Sequence, residues 1–307
     1  MKVIRAEVLG FCMGVRRAVE FACREIACRQ AACRQAACKQ AACKQAVQSA
    51  ANKVYTLGPL IHNPQVLDEL KAQGVEMLDE RRLPQNLNGA SVIIRAHGVN
   101  PQLEAELRER GAKVIDATCP RVKASQLKAA ALVEAGYRLF LAGEAGHAEM
   151  LSIKGYASGC IITGDAAEAE KAAAALYAQD SNVKTALIGQ TTISAVEYQA
   201  IGEAITRYFP ALEIVQTICA ATRERQDSLR KLLDKADAVV IAGGKDSANT
   251  RRLLAIAEAA GKPCALVETQ ADIPASFAAF ETVGLAAGAS TPDSLIGAIE
   301  RALIENG

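Results

Sequence analysis

Residues 92–120, VIIRAHGVNPQLEAELRERGAKVIDATCP, hold two apolar runs that each end in a chemically unusual residue. Val92–Ile94 and Val114–Ile115 are short β-branched runs, and Pro101–Arg110 has a helix-forming composition. The order strand, turn, helix, strand predicts a βαβ unit. Sheets built from such units bind their ligands beyond the carboxyl ends of the strands. Here those ends carry AHG and DATCP, which sends the imidazole of His97 and the thiol of Cys119 toward one crevice.

Outward from this unit, 307 residues suffice for two or three domains, and 50% hydrophobic residues at net charge +1 describe an ordinary globular protein. The neutral balance, and the lack of an apolar run near the ~18–20 residues of a spanning helix, speak against nucleic-acid and membrane partners. With no Trp and few aromatics there is little to stack on bases. MKVIRAEVLG starts as a strand without a signal-peptide apolar region, which predicts a cytoplasmic protein. Ten cysteines in such a chain read as reduced thiols for metal binding or packing rather than as a disulfide framework.

Gly10 and Gly14 flank Cys12 in GFCMG, where an apolar helical pattern begins, so Cys12 falls at a helix N-terminus. Such positions favour the thiolate that binds metal, although a small buried cysteine fits the pattern equally well. Residues 21–45 repeat every five residues, FACRE-IACRQ-AACRQ-AACKQ-AACKQ, with cysteines at 23, 28, 33, 38 and 43. The composition predicts continuation of the helix. A five-residue step turns about 140° and rises roughly 7.5 Å, which scatters the thiols and precludes both a metal site and a disulfide along one helix. A solvated helical insertion over 21–50 follows. Arg24, Arg29, Arg34, Lys39 and Lys44 against Glu25 give residues 24–45 a charge of +4, read as a solvated face.

The strand-then-loop pattern recurs. VYTLGPLIHNPQVLDELKAQGVEML reads strand, loop, helix, strand, with His62 in a loop stiffened by Pro59 and Pro64. YRLFLAGEAGHAEM ends a strand at Leu141 and puts His147 and Glu149 in the following loop. TALIGQTTIS places Gln190, Thr191 and Thr192 after a strand, and IVQTICAATRERQ places Cys219 between a strand and a helix. ADAVVIAGGKDSAN gives a Gly-rich turn carrying Ser247 and Asn249, and GLAAGASTPDSL puts Ser290 at a helix start. Each polar residue at a helix start is by itself a cap, and together they form anion sites.

Cys12, Cys119 and Cys219 are spaced by 107 and 100 residues, one thiol per strand-helix block. This predicts an α/β fold of three similar lobes, with mostly parallel sheets in pseudo-threefold array around a centre: 1–118 with the insertion, 119–218, and 219–307 with a C-terminal helix. Cys160 and Cys264 lie in apolar strands and read as core. Three sulfur ligands leave one position open, as in an open zinc site or an iron–sulfur cluster with one iron lacking a protein ligand. All three histidines fall at loop ends, and with Ser247, Asn249 and Ser290 they suit a phosphate. No GxxxxGK[ST] or GxGxxG is present, which argues against ATP on a P-loop and NAD in a Rossmann turn.

GFCMGVRRAVE, PLIHNPQV, AHGV, DATCP, AGHAE, QTTIS, CAATRERQ, the SAN of GGKDSAN, and AAGAS occur in this order, and the sequence resembles the 4-hydroxy-3-methylbut-2-enyl diphosphate reductase (LytB) family over nearly all but residues 21–50. The resemblance implies one 4Fe-4S cluster on Cys12, Cys119 and Cys219, an allylic diphosphate substrate, and an external electron donor such as ferredoxin or flavodoxin. It implies that His62, His97, His147, Ser247, Asn249 and Ser290 hold the diphosphate, with Ala248 contributing through its backbone. Glu149 would deliver a proton, and Thr191 would position substrate and relay it. The reaction implied is the last step of the non-mevalonate isoprenoid pathway, a two-electron reductive dehydroxylation yielding isopentenyl and dimethylallyl diphosphates. Some members of the family have Ser in place of Ala248 and Asn in place of Asp246. A carboxyl group beside a diphosphate is expected to hold its proton more tightly through like-charge repulsion, which suits a donor near neutral pH. A zinc-dependent phosphate-ester hydrolase is the second reading of the same residues, and a non-catalytic phosphate-binding or redox-sensing module the third.

Overall fold

Parallel strands covered on both faces by helices are written as continuous apolar runs, and SVII, TALIG and AVVIA are buried at every position. The computed structural model describes residues 1–37 and 53–306. From the N-terminus these form β1 (Lys2–Arg5), α1 (Met13–Ala37), β2 (Val54–Leu57), α2 (Pro64–Ala72), β3 (Val75–Leu78), β4 (Ser91–Ile94), α3 (Pro101–Glu109) and β5 (Lys113–Asp116). There follow α4 (Pro120–Glu134), β6 (Arg138–Ala142), α5 (Ala148–Tyr156), β7 (Ile161–Thr163), α6 (Ala166–Gln179), β8 (Thr185–Gly189), α7 (Ala195–Thr206) and β9 (Glu213–Val215). The last part comprises α8 (Ala220–Leu233), β10 (Ala238–Ala242), α9 (Ala248–Ala259), β11 (Cys264–Val267), β12 (Thr282–Ala287) and α10 (Asp293–Asn306).

The strands form three four-stranded sheets, β3-β2-β4-β5, β7-β6-β8-β9 and β11-β10-β12-β1, and every pairing is parallel. The βαβ unit of residues 92–120 is present as β4, α3 and β5, paired from Ser91 with Lys113 to Ile94 with Asp116. Each sheet has the same internal order: second strand, first, third, fourth. In the third sheet β1 supplies the fourth strand, pairing Lys2–Arg5 with Thr282–Leu285. Residues 2–5 therefore join the sheet of residues 238–287, because a short strand announces itself in sequence but its partner does not.

By contact density the chain divides into two compact units, one of residues 1–16, 61–66 and 219–307, the other of 17–60 and 67–218. The first has apolar cores on the two faces of its sheet, around Val240, Leu285 and Ile299 on one side and Leu229, Ile241 and Leu253 on the other. In the second unit Leu57, Ile94 and Leu107 are central to one core, and Phe140, Leu187 and Ile201 to another. No helix among the described residues is long and apolar enough to cross a membrane.

The repeat is helical as far as Ala37, and the expectation for residues 38–45, with Cys38 and Cys43, lies outside the described residues. Cys23 and Cys28 are exposed, as the winding requires. The segment is not wholly solvated, however. Ala18, Ala22, Glu25 and Ile26 are buried, since positions three and four apart share one helix face. Cys160 and Cys264 are also corrected: both are only half-buried, Cys160 immediately precedes β7 and Cys264 is the first residue of β11, so they pack at the margins of cores.

Candidate functional site

The shared strand order gives each sheet the same carboxyl edge. Its first strand leads to His62 in one sheet, His147 and Glu149 in the next, and Ser247–Asn249 in the third. The third strand leads to His97, Thr191 and Ser290, and the fourth to Cys119, Cys219 and Cys12. The first and third strands flank the point where strand order reverses, which is where open α/β sheets place ligands. Every candidate ligand and substrate-binding residue thus follows a strand at its carboxyl end.

In the unit formed by residues 1–16, 61–66 and 219–307, Cys12 directly precedes α1 and its N–H donates to Ala289 O at 3.0 Å. Cys219 is the N-cap of α8, and its side chain makes no capping bond. Ser247 caps α9, accepting from Thr250 N at 3.4 Å. Ser290 Oγ donates to the carbonyl of His62 at 2.9 Å, tying the β12 loop to the histidine loop. Gly244 permits this meeting, because a Cβ there would lie 2.6 Å from His62 O. Asn249, only 4% exposed, has neither amide atom hydrogen-bonded among the described residues. An unpartnered buried amide costs on the order of 1–3 kcal/mol, so it marks a place where a ligand oxygen would be gained as a partner.

In the unit of residues 17–60 and 67–218, the Cys119 N–H donates to Ala96 O at 2.9 Å, which ties together the chain segments that follow β4 and β5. Cys119 is the N-cap of α4, and Arg17 Nη1 holds the preceding carbonyl, Thr118 O, at 2.7 Å. Gly98, at φ +71°, lets the chain turn over Gln126 and Ser152, where a side chain would collide. The rings of His97 and His147 stand edge to face, 5.1 Å apart. His147 Nδ1 accepts from the Glu149 N–H at 3.2 Å, which in the neutral imidazole leaves the proton on Nε2. Glu149 is 1% exposed, and its two oxygens accept from Thr191: Oε1 from the backbone N–H at 2.6 Å and Oε2 from the hydroxyl at 2.9 Å. Burial works against ionisation of Asp116, before Cys119, but hydrogen bonds from Thr118 and Lys123 outweigh it and hold this carboxyl below its usual range.

Several local expectations are corrected. Glu149 is not in a loop but in the first turn of α5, for which His147 is the N-cap; the helix starts at Ala148, directly after the turn residues. Asn249 likewise lies inside α9, with only Ser247 at its cap. Ser290 precedes the start of α10 by three residues, because Pro292 opens the last helix later than the hydroxyl pattern implies. Sequence reasoning also missed Arg225, buried at 4% exposure on α8. Its only signal is its place in CAATRERQ, six residues after Cys219.

Three parallel four-stranded sheets with alternating helices, followed at their carboxyl ends by thiols, imidazoles and small hydroxyls, define a class of α/β protein. The chain matches the family described as "LytB protein" over residues 3–304, and it belongs to that family. It is 42% identical over 312 aligned positions to 4-hydroxy-3-methylbut-2-enyl diphosphate reductase of Treponema denticola, covering 99% of this chain and all of the relative. The Aquifex aeolicus reductase is 36% identical, with 96% of this chain and 93% of the relative covered. A solved structure titled as the same reductase, "the Terminal Enzyme of the Non-Mevalonate Pathway", is 34% identical with TM-score 0.66, covering 99% of this chain and 100% of that one. The Plasmodium falciparum reductase structure shares the fold at TM-score 0.83 and 24% identity, over 98% of this chain and 87% of that one. These relatives are named as reductases, and none of them supports the hydrolase reading.

Proposed function

We propose that this chain reduces (E)-4-hydroxy-3-methylbut-2-enyl diphosphate to isopentenyl and dimethylallyl diphosphates, the last step of the non-mevalonate pathway, on one 4Fe-4S cluster held by Cys12, Cys119 and Cys219. The observation that carries the reading is the repeated carboxyl edge, thiol after every fourth strand and phosphate-type donor after every first and third, in a chain that matches the LytB family over residues 3–304. The donor set fits the group: soft thiolate sulfur suits an iron–sulfur cluster, and three ligands leave one iron open. Asn249, neither of whose amide atoms is hydrogen-bonded among the described residues, fits a diphosphate oxygen.

The reaction breaks the allylic C–O bond and forms a C–H bond. It consumes two electrons and two protons and releases water. When bound, the cluster supplies electrons received from an external donor of the ferredoxin or flavodoxin kind, together with the Lewis acidity that an oxygen leaving group needs. His62, His97, His147, Ser247, Asn249, Ser290 and the Ala248 N–H hold the diphosphate. At the helix ends the backbone N–H groups of α5 and α9 add their dipoles to this task. Glu149 delivers one of the two protons, and Thr191 sets its geometry. The threonine hydroxyl both donates and accepts, so at 2.9 Å from Oε2 it relays a proton without movement of the backbone.

Anaerobically prepared protein tests the reading. About four irons per chain, as a cubane requires, and conversion of the alcohol diphosphate to the two isomers with a low-potential chemical reductant are expected. Colourless protein with stoichiometric zinc that releases inorganic phosphate would replace the reductase with the hydrolase.

A further inference from the structure

Arg225 is a buried cation to which the reaction gives no role. It lies on α8, six residues beyond Cys219, and side chains on a helix lean toward its N-terminus. The guanidinium accordingly reaches back over the first turn. Nη1 donates to Ala221 O at 2.9 Å, two residues after Cys219. Nη2 donates to Gly10 O at 2.6 Å, two residues before Cys12. One planar group thus joins the backbones next to two of the three cysteines. The remaining nitrogen, Nε, is buried and has no hydrogen-bond partner among the described residues.

An arginine 4% exposed pays a large desolvation cost that two neutral carbonyls do not fully offset. Burial pulls the guanidinium below its ordinary pKa, while negative charge on Cys12 and Cys219 acts in the opposite sense. The cation is thus buried beside the backbone next to both Cys12 and Cys219. The same stretch of α8 also meets the N-terminal loop through Ser228 Oγ, which accepts from Val8 N at 3.0 Å, and through the exposed pair Lys231–Glu7 at 3.1 Å. Neither contact touches the backbone next to a cysteine.

We propose that Arg225 is a positioning residue for the cluster: its fork fixes the Cys12 loop against the first turn of α8, and its buried charge offsets the two thiolates there. This rests on the assignment of Cys12 and Cys219 as cluster ligands. Two properties follow. The ligand pair is held ready, so the cluster leaves slowly, and the fixed positive charge favours the reduced, more negative cluster, which raises its midpoint potential. Lysine keeps the charge but has no rigid fork to span two carbonyls, so the two contributions separate by substitution.

The experiment compares wild-type holoprotein with Arg225→Lys, Arg225→Gln and Lys231→Gln. Iron release to a chelator is timed under anaerobic conditions, and the midpoint potential is read by a spectroscopic redox titration. Arg225→Lys should release iron several-fold faster at a near wild-type potential. Arg225→Gln should do both: release iron faster and titrate at a more negative potential. Lys231→Gln, which removes an exposed charge from the same helix, should change neither. Wild-type release rates in both Arg225 variants, or an unshifted potential in Arg225→Gln, would overturn the proposal. If Arg225→Gln does not fold, Arg225→Lys decides alone by its release rate at unchanged helix content. Wild-type protein that takes up no iron would instead overturn the cluster assignment, and this proposal with it.

Discussion

Glu25 and Glu149 are buried in the same compact unit, at 7% and 1% exposure, and they are held by different means. Glu25, on the buried face of α1, receives Lys113 Nζ at 2.8 and 3.0 Å, Arg29 Nε at 3.1 Å and the Ser91 hydroxyl at 2.5 Å. Burial pushes its carboxyl up, but the bonds from Lys113, Ser91 and Arg29 outweigh this and hold it below its ordinary range. The bonds to Glu149 include those from the amide N–H and the hydroxyl of Thr191. A carboxylate clamped between cations is an anchor, since protonating it breaks ion pairs in a place that water reaches poorly. A carboxylate facing a hydroxyl can exchange a proton by turning that hydroxyl. The difference lies in what the next strand offers. β4 and β5 bring Ser91 and Lys113 to Glu25, and the loop after β8 brings Thr191 to Glu149.

Breaking each arrangement should therefore give different losses. Glu149→Gln keeps size and most hydrogen bonding but removes acidity, and turnover should fall on the order of 10²–10⁴-fold, the usual share of general acid catalysis. Substrate Kd, measured by spectral titration, should hardly change; near wild-type turnover would remove Glu149 as donor. Thr191→Val deletes the hydroxyl and leaves the N–H bond, so the loss should be smaller, up to about 10²-fold for a loosened catalytic group.

Glu25→Gln should leave turnover alone and lower stability at pH 7 by about 1–3 kcal/mol in denaturant unfolding, the worth of hydrogen bonds to a charged group. The sign with pH follows from the depressed folded pKa. Stabilisation by the ionised carboxyl is fully present above the unfolded value and disappears as pH falls through the folded one. The stability gap between wild type and Glu25→Gln should accordingly close in acid, and a gap that widened there would contradict the ion-pair account. The smallest effect is expected from replacing Cys28, Cys33, Cys38 and Cys43 together by Ala: iron content and turnover should stay at wild-type values.

Most strands were legible because parallel, doubly covered strands leave apolar runs, AVVIA and SVII among them, and the turn residues after them mark the carboxyl edge where the site residues lie. What pairs with what is not local information, which is why β1 reads as the opening of a first lobe although it completes the sheet of residues 238–287. Glu149 reads as a loop residue because Gly143 and Gly146 precede it, yet a helix needs only an N-cap, and His147 supplies one. Arg225 was hidden by its surroundings. In TRERQDSLRK charges recur as on a solvated helix face, and nothing local says that one of them turns back into the protein.

Cys12, Cys119 and Cys219 are proposed to hold the cluster on which the allylic alcohol is reduced, and the reductase reading rests on this assignment. Its most direct test is the iron content of anaerobically purified Cys12→Ser, Cys119→Ser and Cys219→Ser, beside Cys160→Ser from the margin of a core. A hydroxyl is a poor ligand for iron compared with a thiolate, so the first three should lose the cluster and its visible absorption while Cys160→Ser keeps both. Wild-type iron in all three ligand variants would contradict the assignment.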